Sequence, residues 1–256
     1  MALTKKLYIF NLLLLFAFFW GNCKEDKKDN SLALAALAMS GEPLGNKSCD
    51  GSTETYSWGK FTDQCNGTVK FEGVDGTFGG STYTAKTLFF AKCTHGQTYN
   101  SAKNDCTGTG DSGNNYGAIR VQYCSTADNA CDDSVSAIAA GSLFDACNGM
   151  NLDGKTWRVS TKDEMQTLVH CADKTMPNYA NYNALTKVYV YCGSNNSPLP
   201  AISSFFSNTV ADIYWSSNLA TPFFFQSHAW SFDFTDGFGE YKTKTDSYYA
   251  RCVSEK

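Results

Sequence analysis

Gly110-Asp111-Ser112-Gly113 is the segment whose residue types most directly suggest chemistry, because this arrangement surrounds the nucleophile of one class of serine proteases. A serine in that role needs a histidine base within hydrogen-bond reach, an orienting acid and a fold that holds all three. His95 lies close before the segment, inside a loop bounded by Cys93 and Cys106, and the sequence that follows supplies no second barrel or specificity pocket. The segment therefore reads as a turn. No G-x-S-x-G, H-E-x-x-H or phosphate-binding Walker loop occurs in the chain.

The remaining titratable residues lead to the same place. His95, His170 and His228 are scattered without partner spacing, and His170 stands beside Val169 and Cys171, where packing or exposure accounts for it. Paired carboxylates at Asp132-Asp133 and Asp163-Glu164 precede helical patterns, where they cap backbone N–H groups and complement the helix dipole. No C-x-x-C pair is present, so zinc is not expected, and neither a catalytic residue nor a cofactor is assigned.

Contact chemistry is more visible than catalysis. Residues 178–226 carry NYANYN, SNNSPLP, SSFFSN and TPFFFQ, a long polar stretch rich in aromatic rings. Tyr179, Asn181, Tyr182 and Asn183 combine stacking with hydrogen bonding and are the ligand-contact candidates, with Lys242 and Lys244 offering a small cationic spot. Phe205, Phe206 and Phe223 to Phe225 are expected to fold inward as loop core.

Local signals define the elements that must position these residues. Thr161 followed by Glu164 is a capping box, and Met165, Leu168, Val169 and Ala172 recur at helical spacing behind it. A second helix is expected from Asp133 or Ser134, carrying Val135, Ile138, Ala139, Leu143 and Ala146. Ala229 to Phe234 alternates as a half-buried strand, and Asp236-Gly237 is expected to turn it back toward Tyr248–Val253 as a terminal hairpin. Short strands are expected around Val69 and Phe71, at Leu88–Ala91 and at Arg120–Tyr123, with Gly73, Gly76, Gly79 and Gly80 marking turns. Two helices and several short strands in no alternating order argue an α+β domain.

Composition sets the address. Lys5 and Lys6 precede the apolar run Leu12–Trp20, too short for an ordinary membrane span, so residues 1–22 read as an export signal. Removing those two lysines lowers the 21 basic residues to 19 against 25 acidic ones, about −6 by that count, which argues against a nucleic-acid partner. Gly21-Asn22-Cys23 followed by KEDKKDN is similar to a bacterial lipoprotein signal of the relaxed kind found in spirochaetes, with Trp20 and Asn22 departing from the usual pattern. It implies lipid on Cys23 and a tether over residues 23–48. Eleven cysteines less Cys23 leave an even ten, which reads as up to five disulfides in an oxidising compartment.

The order CNGMNLDGKTWRVSTKDEMQTLV, YWSSN, AWSFDFTDGFGEY and YYARCV resembles the Legionella collagen-like protein C-terminal (Lcl C-terminal) domain family over roughly residues 85–254, and KCTHGQTYNSAKNDCTGTG is similar to an element often found in it. Val159 and Ser160 stand where that family usually has Leu-Pro. The resemblance implies a C-type-lectin-like fold with two helices and a small twisted antiparallel sheet. It divides the chain into a 49–84 turn-rich β extension and an 85–256 domain. It also implies a disulfide from first helix to last strand, Cys147–Cys252. The local staples Cys93–Cys106, Cys124–Cys131, Cys171–Cys192 and Cys49–Cys65 follow, although ten cysteines permit many connectivities.

Lectins of that fold often bind sugar through calcium. Here Met176-Pro177-Asn178 lacks the first carboxamide or carboxylate of the usual triplet and Trp215 is followed by Ser216-Ser217, so that mode is disfavoured; Asp128 with Asp132 is another oxygen cluster. The expected protein is a lipid-anchored outer-membrane or surface binding module, non-enzymatic, an adhesin for a glycan or host macromolecule. A structural role on another envelope protein is the alternative, and an enzyme on a lectin-like fold ranks third.

Overall fold

Leu88 and Phe90 alternate with Phe89, and the same period places Val69 with Phe71 and Phe61 between polar neighbours. A computed structural model of the chain describes residues 49–133, 137–178, 192, 198–199, 205–220, 226–235 and 237–255. In it these residues stack in register: Phe61 opposes Phe71 and Phe71 opposes Leu88, while Val69 opposes Phe90 and Phe90 opposes Val253. All six side chains are buried.

The first strands are β1 (Thr53–Tyr56), β2 (Gly59–Asp63), β3 (Thr68–Gly73), β4 (Gly76–Phe78), β5 (Ser81–Tyr83) and β6 (Thr87–Ala91). After them come β7 (Thr98–Asn100), β8 (Asp105–Thr107), a 3-10 helix (Ser112–Gly117), β9 (Val121–Gln122) and helix α1 (Ser142–Asn148). β10 (Arg158–Val159), helix α2 (Lys162–Thr167), β11 (His170–Cys171) and β12 (Pro198–Leu199) follow. The chain finishes with β13 (Ile213–Leu219), β14 (His228–Asp233), β15 (Phe238–Thr243), β16 (Ser247–Tyr248) and β17 (Cys252–Ser254). Among the described residues the result is mostly β in several antiparallel sheets with few short helices, where the sequence reading expected an α+β domain.

The largest sheet has six strands in the order β1-β2-β3-β6-β17-β10, all antiparallel. Its last strand in sequence, β17, thus lies between β6 and β10, and residues 49–83 supply three of the six strands. A second sheet, β13-β14-β15, carries Tyr214, Phe232 and Phe234 into one core with Trp58, Phe61, Phe71, Phe90, Phe205 and Phe206. The other core gathers Tyr123, Leu143, Trp157, Trp215 and the Cys147–Cys252 bridge. Further disulfides join Cys49 to Cys65, Cys93 to Cys106, Cys124 to Cys131 and Cys171 to Cys192. Residues Asn46–Lys256 pack as one unit.

The structure departs from four sequence expectations. The helix expected from Asp133 begins only at Ser142, because Ile138 N–H is drawn to Ser217 O and Ala137 bridges to Asn218, pulling that segment onto β13. Gly141, at φ +94°, then makes the sharp entry into α1. The turn after β14 returns the chain to β15 and not to Tyr248–Val253, since Gly237 at φ +78° closes a tight turn by donating to Asp233 O. β14 is buried on both faces rather than one: Ser231 is as enclosed as Phe232, and its hydroxyl donates to Glu240 O. The capping box forms, but α2 stops at Thr167 and His170 enters β11.

Two buried cations hold the centre. Lys92 Nζ sits 2.6 Å from Asp63 Oδ2 and 2.6 Å from Asn104 Oδ1, with both ions of the pair withdrawn from solvent. Arg251 is wholly enclosed and donates to the carbonyls of Ala91 and Lys92. Hydrogen bonds of this kind offset the cost of burying an ion, although Arg251 Nε is itself left without a partner.

Candidate functional site

The first turn of α2 builds one wall of an open cleft of about 350 Å³. Thr161 Oγ1 accepts from Glu164 N and Glu164 Oε2 accepts from Thr161 N at 2.8 Å, which fixes the Glu164 carboxylate. Arg158 then donates to both its oxygens at 2.7 Å, and Lys86 adds a third cationic contact at 2.8 Å. Burial alone would raise the Glu164 pKa. The Arg158 fork and Lys86 outweigh it and hold the group down at about 2.

Opposite stand residues following β3 and around β5. Val74, Thr82, Thr84 and Lys86 are exposed at the rim, together with Asp163 on α2. Asn218 closes one end, its Oδ1 accepting from Lys162 N. The floor is apolar, made by Trp58, Phe71 and Leu88, and the Trp58 indole is already committed to Thr167 O. Tyr83 lies against this cleft with its hydroxyl buried; burial first, then the Asp163 carboxylate, raises its pKa, so the phenol stays protonated.

A second, more open cleft of about 420 Å³ lies between the Cys93–Cys106 loop and the end of α1, lined in part by His95, Tyr99, Asp145 and Asn151. Burial lowers the His95 pKa, opposed by a hydrogen bond to the Ala146 carbonyl, so the ring is neutral at pH 7.

The other sequence candidates are placed as follows. Asp111 accepts from Gly113 N and starts the 3-10 helix, so Gly110–Gly113 is a turn. His170 Nδ1 lies 2.8 Å from Cys171 O and its ring tilts against Tyr56. Lys242 is paired with Glu240 at 2.8 Å. Lys244 is not a surface cation: its side chain is fully buried, and Nζ donates to Asp128 O, Asn129 Oδ1 and Asp132 Oδ2. Of the two carboxylates considered for a metal, Asp132 is committed to this ammonium rather than to a helix start, and Asp128 Oδ1 accepts from Thr126 Oγ1 and Ala130 N. Cys23, Tyr179, Asn181, Tyr182 and Asn183 lie outside the described residues, as do Phe223 to Phe225. Phe205 and Phe206 are buried in the core.

Among the described residues, the group with metal-ligand proximity is Cys49, Asp63 and Cys65, but both sulfurs are spent in a disulfide. No helix among them is long and apolar enough to cross a membrane. The sequence gives no sign of the first cleft beyond the capping box, because its two walls come from residues 73–86 and 161–167, which only the tertiary fold brings together.

The model of the Lcl C-terminal domain family matches residues 84–254. No curated protein and no solved structure matches the chain. Strands β1 to β3 therefore precede the matched region although they share its largest sheet.

Proposed function

The chain belongs to the Lcl C-terminal domain family, and from that premise we propose that it is a lipid-anchored, non-enzymatic binding module of a bacterial envelope, with a lectin-like domain that contacts a glycan or a host macromolecule. Its disulfides are those of an exported protein. The observation that carries the binding reading is the α2 cleft. Its one buried carboxylate, Glu164, is held ionised by Arg158 and Lys86, which suits a scaffold and unsuits a general acid, whose pKa would have to sit near the working pH. The exposed threonines across the cleft, and Asp163 beside Glu164 on α2, are contact groups. The anchor would be lipid on Cys23, and residues 23–48 would space the domain from the bilayer.

The test is binding of the oxidised chain to an array of neutral and sulfated glycans and matrix proteins, with reduced protein as the unfolded control and two salt concentrations. A disulfide-dependent hit supports the reading. A blank array would overturn it in favour of an envelope-protein partner. Metabolic labelling with an alkynyl fatty acid should mark the wild-type chain and not Cys23→Ala; equal labelling of both would remove the anchor.

A further inference from the structure

We propose that the α2 cleft takes one uncharged, hydroxyl-rich ring, a single neutral saccharide unit. The inference rests on the binding-module reading above and specifies its site and ligand chemistry.

Charge balance disfavours the ionic alternatives. Glu164 is matched on one side by Lys86 and on the other by Arg158, which also reaches Glu255. Asp163 lies 3.6 Å from Lys162 Nζ. Each lining charge therefore already has an opposite neighbour, so the cleft has little unbalanced charge with which to select an anionic or cationic ligand. A ligand that offers hydroxyls breaks nothing.

The free valences are those that adjacent hydroxyls use. Lys86 gives one hydrogen bond to Glu164, and its ammonium has donors to spare. Asn218 accepts from Lys162 N through Oδ1, which orients its NH₂ as a donor. The Asp163 carboxylate accepts, and Thr82 and Thr84 each donate or accept. Donors and acceptors thus share one opening, as vicinal hydroxyls require. Val74, 43% exposed at the rim, supplies an apolar patch for a ring's C–H face. Size narrows the class further, since about 350 Å³ is near the lower end of ligand pockets. A single ring with its substituents fits there, and an extended peptide does not.

The probes are the methyl glycosides of glucose, galactose, mannose and N-acetylglucosamine, titrated into the ¹⁵N-labelled, disulfide-intact chain and followed by two-dimensional NMR. At least one should shift the amides of Val74, Thr82, Thr84, Lys86 and Asp163 together. Asp163→Asn and Thr82→Val, both at exposed positions, should each weaken it at least fivefold, and Thr84→Trp should abolish it, with thermal midpoints held near wild type. Silence with all four glycosides overturns the proposal, as does a shift pattern centred elsewhere or affinity unchanged in Thr84→Trp. A positive polymer array with silent glycosides would remove this site and leave the binding module standing. A blank array with cleft-centred shifts would keep the site and remove the macromolecular partner.

Discussion

Lys244 Nζ donates to Asp132 Oδ2 at 2.6 Å across 112 positions of sequence, and both side chains are out of reach of solvent. The ammonium also holds Asp128 O and Asn129 Oδ1, so it sits where a bound cation would sit in the loop closed by Cys124–Cys131. Charge and loop geometry are thus settled by a residue of the chain itself.

Replacing Lys244 by Met should therefore be costly. It leaves Asp132 buried without its counter-ion, a loss of about 3–5 kcal/mol. Urea unfolding of the disulfide-intact protein should show it, and Asp132→Asn added to Lys244→Met should recover a large part by removing the stranded charge. Calcium or EDTA should leave the wild-type melting temperature unmoved; a calcium-dependent rise would mean the nest is not filled as described.

Glu164 makes a pH prediction. Its folded pKa is held near 2 against an ordinary 4.5: burial pushes it up, and Arg158 and Lys86 pull it down further. A depressed folded pKa means the unfolded chain takes the proton first, so the contribution is complete above pH 4.5 and fades as pH falls toward 2. Two and a half units correspond to about 3 kcal/mol at most. Denaturant unfolding at stepped pH should show that fall, and Glu164→Gln should flatten it over the same window.

How much of this was legible beforehand differs by residue. Thr161 and Glu164 announce α2 because a capping box is local, and the inward turn of Phe205 and Phe206 follows from hydrophobicity alone. The sequence placed a helix at Val135–Ala139 because its spacing is helical, but Ser217 and Asn218 of β13 compete for that backbone from far along the chain. Lys244 next to polar Lys242 and Thr243 reads as surface for the same reason: nothing local shows that Asp128 to Asp132 will close over it. The α2 cleft depends on Lys86 meeting Glu164 across 78 positions, a pairing made only by the sheet.

The disulfides should rank by the loop each closes. Cys147–Cys252 spans 105 positions and Cys124–Cys131 spans 7, so chain entropy alone gives about 4–5 against about 2 kcal/mol. Paired Cys→Ala variants compared by unfolding free energy should keep that order. Equal losses would show that packing in the Trp157 and Trp215 core, rather than loop closure, dominates at Cys147–Cys252.

Arg251 separates shape from charge. One guanidinium nitrogen donates to Ala91 O at 2.9 Å and Lys92 O at 2.6 Å, the other to Thr209 Oγ1 at 2.8 Å, while its plane lies 4.5 Å from the Phe206 ring centre. Burial lowers its pKa, yet an arginine remains charged at neutral pH. A lysine brings the same charge to a single point and cannot lie flat on Phe206 while spanning two carbonyls and a hydroxyl. Arg251→Lys should therefore cost about 2–4 kcal/mol, through two carbonyls left short of donors and a more strongly hydrated ion forced into the core. Arg251→Met removes the charge but leaves the same carbonyls unmet, so it should be no worse than lysine. If unfolding measurements found Arg251→Lys equal to wild type and Arg251→Met far below both, charge and not the planar fork would be what this site needs.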